Sequence, residues 1–146
     1  MKYSKAIIAK ALFLSPLPLL LILASLFIIL NSEFNLSSLF VVFVGHALVY
    51  LAYCIFIVPF SVLISILLDR YHALNLLSIT LFSLLMAAIF FSIIGWGHTG
   101  ALPDPTEWRK GFNDLPTLFM ALFSGLCYWF FLIKLQARKM AKDKIN

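Results

Sequence analysis

The chain has 146 residues and a formal net charge of +5, with 63% hydrophobic and only 12% charged residues. Soluble domains average about 45–50% apolar and about 25% charged residues, so this composition excludes an ordinary water-soluble fold. Because so much of the sequence is apolar, we expect a single integral membrane domain over residues 1–146, without a separate soluble domain.

Long apolar segments alternate with short polar ones. Residues 11–30 and 34–68 contain no Asp, Glu, Lys or Arg, and neither do residues 73–103. Helices of about 20 apolar residues cross a hydrocarbon core roughly 30 Å thick, whereas barrel strands would alternate apolar and polar residues. The sequence therefore predicts an all-α membrane protein, a four-transmembrane-helix bundle with spans at approximately 11–30, 42–68, 73–96 and 115–133.

The first span follows a basic segment and so resembles a signal peptide in outline. Its apolar run is longer than an ordinary signal sequence, and no small-residue cleavage site precedes Asn31, so we expect it to be a retained helix. Two prolines, Pro16 and Pro18, are placed in its first turns, where the missing amide costs least. We therefore expect the helix to begin near Pro16.

The second span is longer than a simple crossing needs. The hydrophobic run from Leu39 to Leu68 is 30 residues and would extend about 45 Å as a helix, which exceeds the hydrocarbon thickness. The helix must tilt, bend at Pro59 or begin at the interface. The Asp69-Arg70 pair at its end is interpreted as a solvated helix terminus that fixes topology.

Orientation follows from the distribution of basic residues. The N-terminal segment, the turn at Arg70 and the basic tail over residues 134–146 carry nine Lys and Arg, against two in the other loops, both in the long loop 97–114. Because basic segments stay on the cytoplasmic side, the prediction is an N-in/C-in protein of the plasma (inner) membrane. Residues 97–114 then form the outer loop. The basic tail also suits anionic headgroups, at about 1 kcal/mol per base, and nucleic-acid binding is not expected.

The second helix has a candidate polar face, because several polar side chains recur at helical spacing. These residues pack against neighbouring helices, or they line a path for a ligand, a proton or a partner helix. The face comprises His46, Tyr50, Tyr53, Cys54, Ser61, Ser65 and Asp69.

No arrangement of residues predicts an enzyme. The spans contain no paired carboxylates and no nucleophile with an adjacent base, so we expect no catalytic residues and no cofactor. His46 lies either at the outer interface or one turn inside it, and its spacing to His98, Asp104 and Glu107 matches no metal-ligand pattern. We therefore expect no metal site.

The fourth helix carries a small-x-x-x-small pattern at Ala121 and Gly125. Small residues allow helix backbones to approach closely in membranes. We interpret the pair as a helix packing site, first within the chain and second between copies.

Contact with another protein is the function that this sequence favours. We expect a small non-enzymatic multi-pass protein in an accessory, assembly or immunity-type role, whose partners are the lipid bilayer and a membrane protein or a second copy. The four-helix plan is similar to that of some immunity proteins against pore-forming bacteriocins, in architecture alone. The alternative is an oligomeric small transporter or pore lined by the polar face of the second helix. In the contact hypothesis, that face and the outer loop are the recognition surfaces.

Overall fold

The computed structural model describes the backbone of residues 3–31, 35–99 and 115–144, and the side chains of residues 3–30, 35–89 and 118–144. The described residues are all-helical. In chain order the helices are α1 (Lys5–Leu14), α2 (Leu17–Asn31), α3 (Leu36–Phe56), α4 (Val58–Arg70), α5 (Leu76–Thr99) and α6 (Leu115–Asp143).

The first apolar segment is two helices rather than one. The expectation that helix begins near Pro16 is wrong: α1 starts at Lys5, where the Ser4 side chain accepts a hydrogen bond from the Ile7 amide at 3.4 Å. This contact caps one of the free amides at a helix start. Ser15 and Pro16 then form a turn. The prolines therefore interrupt a longer helical segment instead of opening it, because neither can donate to the preceding turn.

The second segment is also interrupted. Helix α3 ends at Phe56, and α4 begins at Val58 with Pro59 in its first turn. At that position the missing amide of proline is tolerated. The interruption is confined to Ile57, two residues before Pro59, because the Ile57 amide still donates to the Tyr53 carbonyl at 2.9 Å and the Ser61 amide to the Ile57 carbonyl at 3.0 Å.

The turn after α4 is built from two standard helix caps. The Ala73 amide donates to the Leu68 carbonyl at 2.8 Å, and the His72 amide donates to the Asp69 carbonyl at 3.2 Å. This pattern is a Schellman cap, whose αL position is usually glycine, but here His72 occupies it with φ of 57°. Asn75 then caps α5, because its side chain accepts from the Ser78 amide at 2.8 Å.

Three helical segments of the described chain are long and apolar enough to cross a membrane: Lys5–Leu30, Leu36–Phe56 and Leu118–Asp143. In α5 the apolar stretch with described side chains is shorter, Leu76–Ile89. The last helix continues through most of the basic tail. The helix thus extends ten residues beyond the predicted end of the fourth span at residue 133, since Lys and Arg are good helix formers.

Helix packing is uneven along the bundle. Helix α6 packs against α5 and α1, α1 packs against α4, and α2 pairs with α3. The buried core lies where α1, α4, the start of α5 and the second half of α6 meet. Its members are Tyr3, Ile7, Ile8, Ala11, Leu12, Val58, Leu74, Ile79, Tyr128 and Leu132. The α2–α3 pair, in contrast, leaves most of its apolar side chains exposed.

Candidate functional site: the polar face and the central cavity

The Leu12 carbonyl is the acceptor at the centre of the break between α1 and α2. In a continuous helix its donor would be the amide of residue 16, but Pro16 has none. Two side chains replace it: the Ser15 hydroxyl donates at 3.0 Å and the Tyr53 hydroxyl at 3.3 Å. The two hydroxyls are also 3.2 Å apart. Helix α3 therefore satisfies a backbone group that the proline leaves without its helical donor.

Tyr50 makes the equivalent contact one turn earlier in α3. Its hydroxyl donates to the Phe13 carbonyl at 3.1 Å. Tyr50 and Tyr53, which sequence analysis grouped on a polar face, are thus both directed at the C-terminal end of α1. The prolines and the tyrosines were each visible in the sequence, but no local pattern linked residues about 40 positions apart.

Asp69 is not the solvated helix terminus that the sequence predicted. Its side chain is only 2% exposed, and its carboxylate accepts a hydrogen bond from the Tyr3 amide at 3.3 Å. The carboxylate therefore lies at the start of α1, where the helix dipole favours a negative charge. Arg70, the next residue, is exposed. The sequence interpretation treated the pair as one unit, whereas successive helical residues point in different directions.

The remaining members of the polar face have different surroundings. His46 is half-buried, and its Nδ1 donates to the Val42 carbonyl of its own helix at 2.8 Å. Cys54 is a half-buried free thiol, as is Cys127 on α6. Ser61 and Ser65 lie further along, on α4, and face the interior. The face is therefore divided by the break at Ile57 rather than forming one continuous surface.

A central cavity of about 240 Å³ lies between the helices. All six helices contribute to its lining, and none of the lining residues carries a charge. Its apolar walls include Phe82, Met86 and Met120. The hydroxyl-bearing residues of the lining are Ser15, Tyr53, Ser61, Ser65, Ser83, Ser124 and Tyr128.

Tyr128 has a buried donor without an acceptor. The residue is 5% exposed and forms part of the cavity lining, and its hydroxyl has no hydrogen-bond partner among the described residues. The Ser65 hydroxyl is a neighbour of the Tyr128 hydroxyl, but the two groups do not meet hydrogen-bond geometry. A buried hydroxyl without a partner is costly, and this hydroxyl oxygen is enclosed by protein atoms rather than open to the cavity.

The wall formed by α5 and α6 depends on Gly125. A Cβ atom at this position would lie 2.8 Å from the Ser83 hydroxyl oxygen and 3.7 Å from the Thr80 Cα. Ala121, one turn earlier, is buried. Gly125 of the small-x-x-x-small pair therefore lies against α5 of the same chain.

The outer surface of α3 at Gly45 is open, in contrast to the tight packing at Gly125. Gly45 lies in mid-helix, and a Cβ atom there would have nothing within 4 Å. Val41 and Leu48, one turn away on either side, are 66% and 61% exposed. Within the described chain, nothing packs on this face of α3 at Gly45.

Residues 100–114, which include Asp104 and Glu107, and the side chain of His98 lie outside the described residues. Within the described part of the chain, no three His, Cys, Asp or Glu side chains come together as a metal site. Comparison of the chain with protein-family models, with curated proteins and with solved structures finds no match.

Proposed function

We propose that the chain crosses the plasma membrane four times, with both termini in the cytoplasm. Three helical segments are long and apolar enough to cross a membrane. Helix α5 adds 24 residues, which would extend about 36 Å, enough for a fourth crossing. The contact between Tyr3 and Asp69 brings the start of α1 to the end of α4, and Leu132 of α6 shares their core. Three basic segments therefore share one end of the bundle, the distribution that cytoplasmic sides have.

Within that membrane, the proposed function is non-enzymatic contact with a transmembrane helix of another protein. The observation that carries it is the uncovered glycine in the middle of α3. Glycine destabilises a helix interior by about 1 kcal/mol relative to alanine, and Gly45 gains no packing in return from the residues that the structure describes. In membranes, small residues are typical of surfaces where two helix backbones approach closely.

Val41 and Leu48 flank this position and give the surface its shape. Their exposed side chains rise on either side of Gly45, so that a partner helix would lie in a shallow groove above the glycine backbone. This surface replaces the one expected from the sequence. Tyr50 and Tyr53, the expected recognition residues, are engaged with α1.

The same engagement weakens the alternative of an oligomeric transporter or pore. In that model the polar face of the second helix must lie at the interface between copies, where it would line the path of the transported solute. Its two tyrosine hydroxyls instead donate to α1 carbonyls of the same chain, and Ser61 and Ser65 line the central cavity.

Site-specific photo-crosslinking in native membranes tests the proposal. A photoreactive residue at Leu48 should give a discrete adduct with one membrane protein, whereas the same residue at Leu77, 69% exposed on α5, should react with lipid. Gly45→Leu should abolish the adduct without unfolding the chain, because the space above Gly45 is empty.

Three results would contradict the proposal. One is labelling of lipid alone at Leu48. Another is an adduct that persists in Gly45→Leu. The third is an adduct only between two differently tagged copies, which would replace the heterologous partner by self-association.

A further inference from the structure

We propose that the basic end of α6 binds an anionic phospholipid, whose phosphate lies on Lys134 and Arg138 and whose acyl chain lies along the exposed apolar side of the same helix. The inference starts from one row of side chains at four-residue spacing, which are neighbours on a helix surface. The row consists of Leu126, Phe130, Lys134, Arg138 and Lys142, and all five side chains are exposed. It rests on the membrane crossing of α6 and not on the contact function of α3.

The helical continuation of α6 gives these bases fixed positions. Because the helix extends to Asp143, Lys134, Arg138 and Lys142 follow one another about 40° apart around its axis. A basic tail without any helix would equally satisfy the tendency of basic segments to stay on the cytoplasmic side. The ordered row is therefore a feature that membrane orientation alone does not explain.

The row changes from apolar to basic at Lys134, which marks the depth of the membrane surface. Leu126 and Phe130 are 51% and 57% exposed, as lipid-facing residues of a span would be. The Lys134 ammonium lies over the Phe130 ring, 5.3 Å from its centroid, and this cation–π contact stabilises the charge beside the apolar surface. A lipid along the row would thus pass from hydrocarbon contact to a positive charge within about one helical turn.

Lys134 and Arg138 are placed to share one phosphate. Side chains four residues apart on a helix have Cβ atoms about 5–6 Å apart, a separation that two long basic side chains can span to reach the same phosphate oxygens. Arginine binds phosphate through two parallel hydrogen bonds, and lysine acts as a point charge. Arg138 lies about 6 Å beyond Lys134 along the axis, within the headgroup layer of about 5–8 Å on each side of the hydrocarbon core.

The direction of the helix turns the bases towards the membrane. Side chains of an α-helix tilt towards its N-terminus, and α6 runs from Leu115 to its basic end at Asp143. The side chains of Arg138 and Lys142 therefore lean back to the membrane surface. An acidic segment of a cytoplasmic protein would meet these bases less readily, because they lean away from the water beyond the helix end. The geometry favours a lipid headgroup.

The local charge favours an anionic headgroup over a zwitterionic one. Two described acids occur at this end of the bundle, and neither faces the row: Asp69 is buried, and Asp143 lies about 180° around the helix from Lys134. Lys139, exposed beside the row, adds a further positive charge. A headgroup with its own ammonium would be repelled by these bases, whereas each base should strengthen the binding of an anionic headgroup about fivefold.

Native mass spectrometry of the full-length protein in detergent micelles tests this site without the field of a charged bilayer. Phosphatidylglycerol and phosphatidylethanolamine with identical acyl chains are added at equal concentrations. We expect wild-type protein to retain phosphatidylglycerol preferentially. Glycerol 3-phosphate in excess should not displace it, because the free headgroup makes no contact with Leu126 and Phe130.

Two double variants with the same net charge separate the row from the tail as a whole. Lys134→Gln with Arg138→Gln removes both phosphate contacts and should lower the affinity for phosphatidylglycerol about 25-fold, at about fivefold for each base. Lys139→Gln with Lys144→Gln removes two charges from other sides of the same helix and should lower it by less than about fivefold in total. All four side chains are exposed, and elution as a single species with unchanged helical circular dichroism shows that each variant is folded.

Equal retention of the two lipids by wild-type protein would overturn the proposal. Equal losses in the two double variants would also overturn it, because net charge rather than the row would then hold the lipid. Displacement by glycerol 3-phosphate would replace the lipid by a soluble phosphate compound. Co-purification of an acidic protein that only the Lys134 and Arg138 double variant releases would replace it by a protein partner. Because a single purified chain is measured, failure here leaves the proposed contact of α3 standing.

Discussion

The proline break in the first membrane segment makes a quantitative prediction about hydroxyl groups. Tyr53→Phe and Ser15→Ala each remove one donor from the Leu12 carbonyl and leave the other. Side-chain hydrogen bonds between membrane helices are worth about 0.6 kcal/mol on average, so each single variant should lose about that much free energy of unfolding.

The double variant should lose more than the sum of the two. It removes both side-chain donors, and Pro16 cannot supply the helical one. A buried polar group left without a partner costs about 1–3 kcal/mol, and such groups are especially unfavourable in lipid. We therefore expect a loss of about 2–3 kcal/mol, against about 1.2 kcal/mol for two independent contacts.

Unfolding in mixed micelles by titration with sodium dodecyl sulfate, followed by tryptophan fluorescence, measures these losses. Adding Pro16→Ala to the double variant restores an amide at position 16 and should recover most of the stability. Ser25→Ala is the matched control, because the Ser25 hydroxyl donates to the Leu21 carbonyl within an uninterrupted part of α2. Strictly additive losses together with no recovery by Pro16→Ala would refute the reasoning.

Further predictions concern other contacts of the bundle. His72→Gly should stabilise the protein by about 1 kcal/mol, because a non-glycine residue in the αL region costs roughly 1–2 kcal/mol; an unchanged unfolding midpoint would contradict this. Gly125→Leu should separate α5 from α6 and lower stability by about 1–3 kcal/mol through overpacking, with Gly45→Leu, in open space, as the matched control in the same unfolding assay. Asp69→Ala should destabilise the chain by about 1–3 kcal/mol by removing the acceptor of the Tyr3 amide, and a neutral result would show that this contact does not stabilise the fold. A cysteine placed in the 97–114 loop should react with an impermeant maleimide added outside cells, whereas one in the basic tail should not; the reverse pattern would overturn the proposed orientation.

The helical class of the fold could be predicted because it depends on local composition. Apolar runs of membrane length have few structural solutions, and Pro59 marked the break near Ile57. Pro16 was assigned to a helix start instead, because the sequence does not reveal that the ten-residue helix α1 precedes it. Local rules allow proline in either place.

The candidate site was only partly predictable, for a different reason. Helical spacing grouped Tyr53, Ser61 and Ser65 on one face, and all three line the central cavity. The same spacing included Asp69, whose partner is the amide of Tyr3, and it missed Tyr128 on another helix. Spacing reports which side chains share a face of one helix, but a cavity is defined by several helices whose relative positions only packing decides.

The two interruptions lie opposite each other, and this has a mechanical consequence. Tyr53, just before the break at Ile57, contacts Ser15 at the break between α1 and α2, so the two discontinuities occur at one level of the bundle. On one side of that level α1 and α4 are held by the buried core, and on the other α2 and α3 pair chiefly with each other. The Tyr50 and Tyr53 hydroxyls therefore tie the α2–α3 pair to α1 at the level where both membrane segments are interrupted. Loss of these side-chain contacts should loosen that pair from the core before it disturbs the core itself.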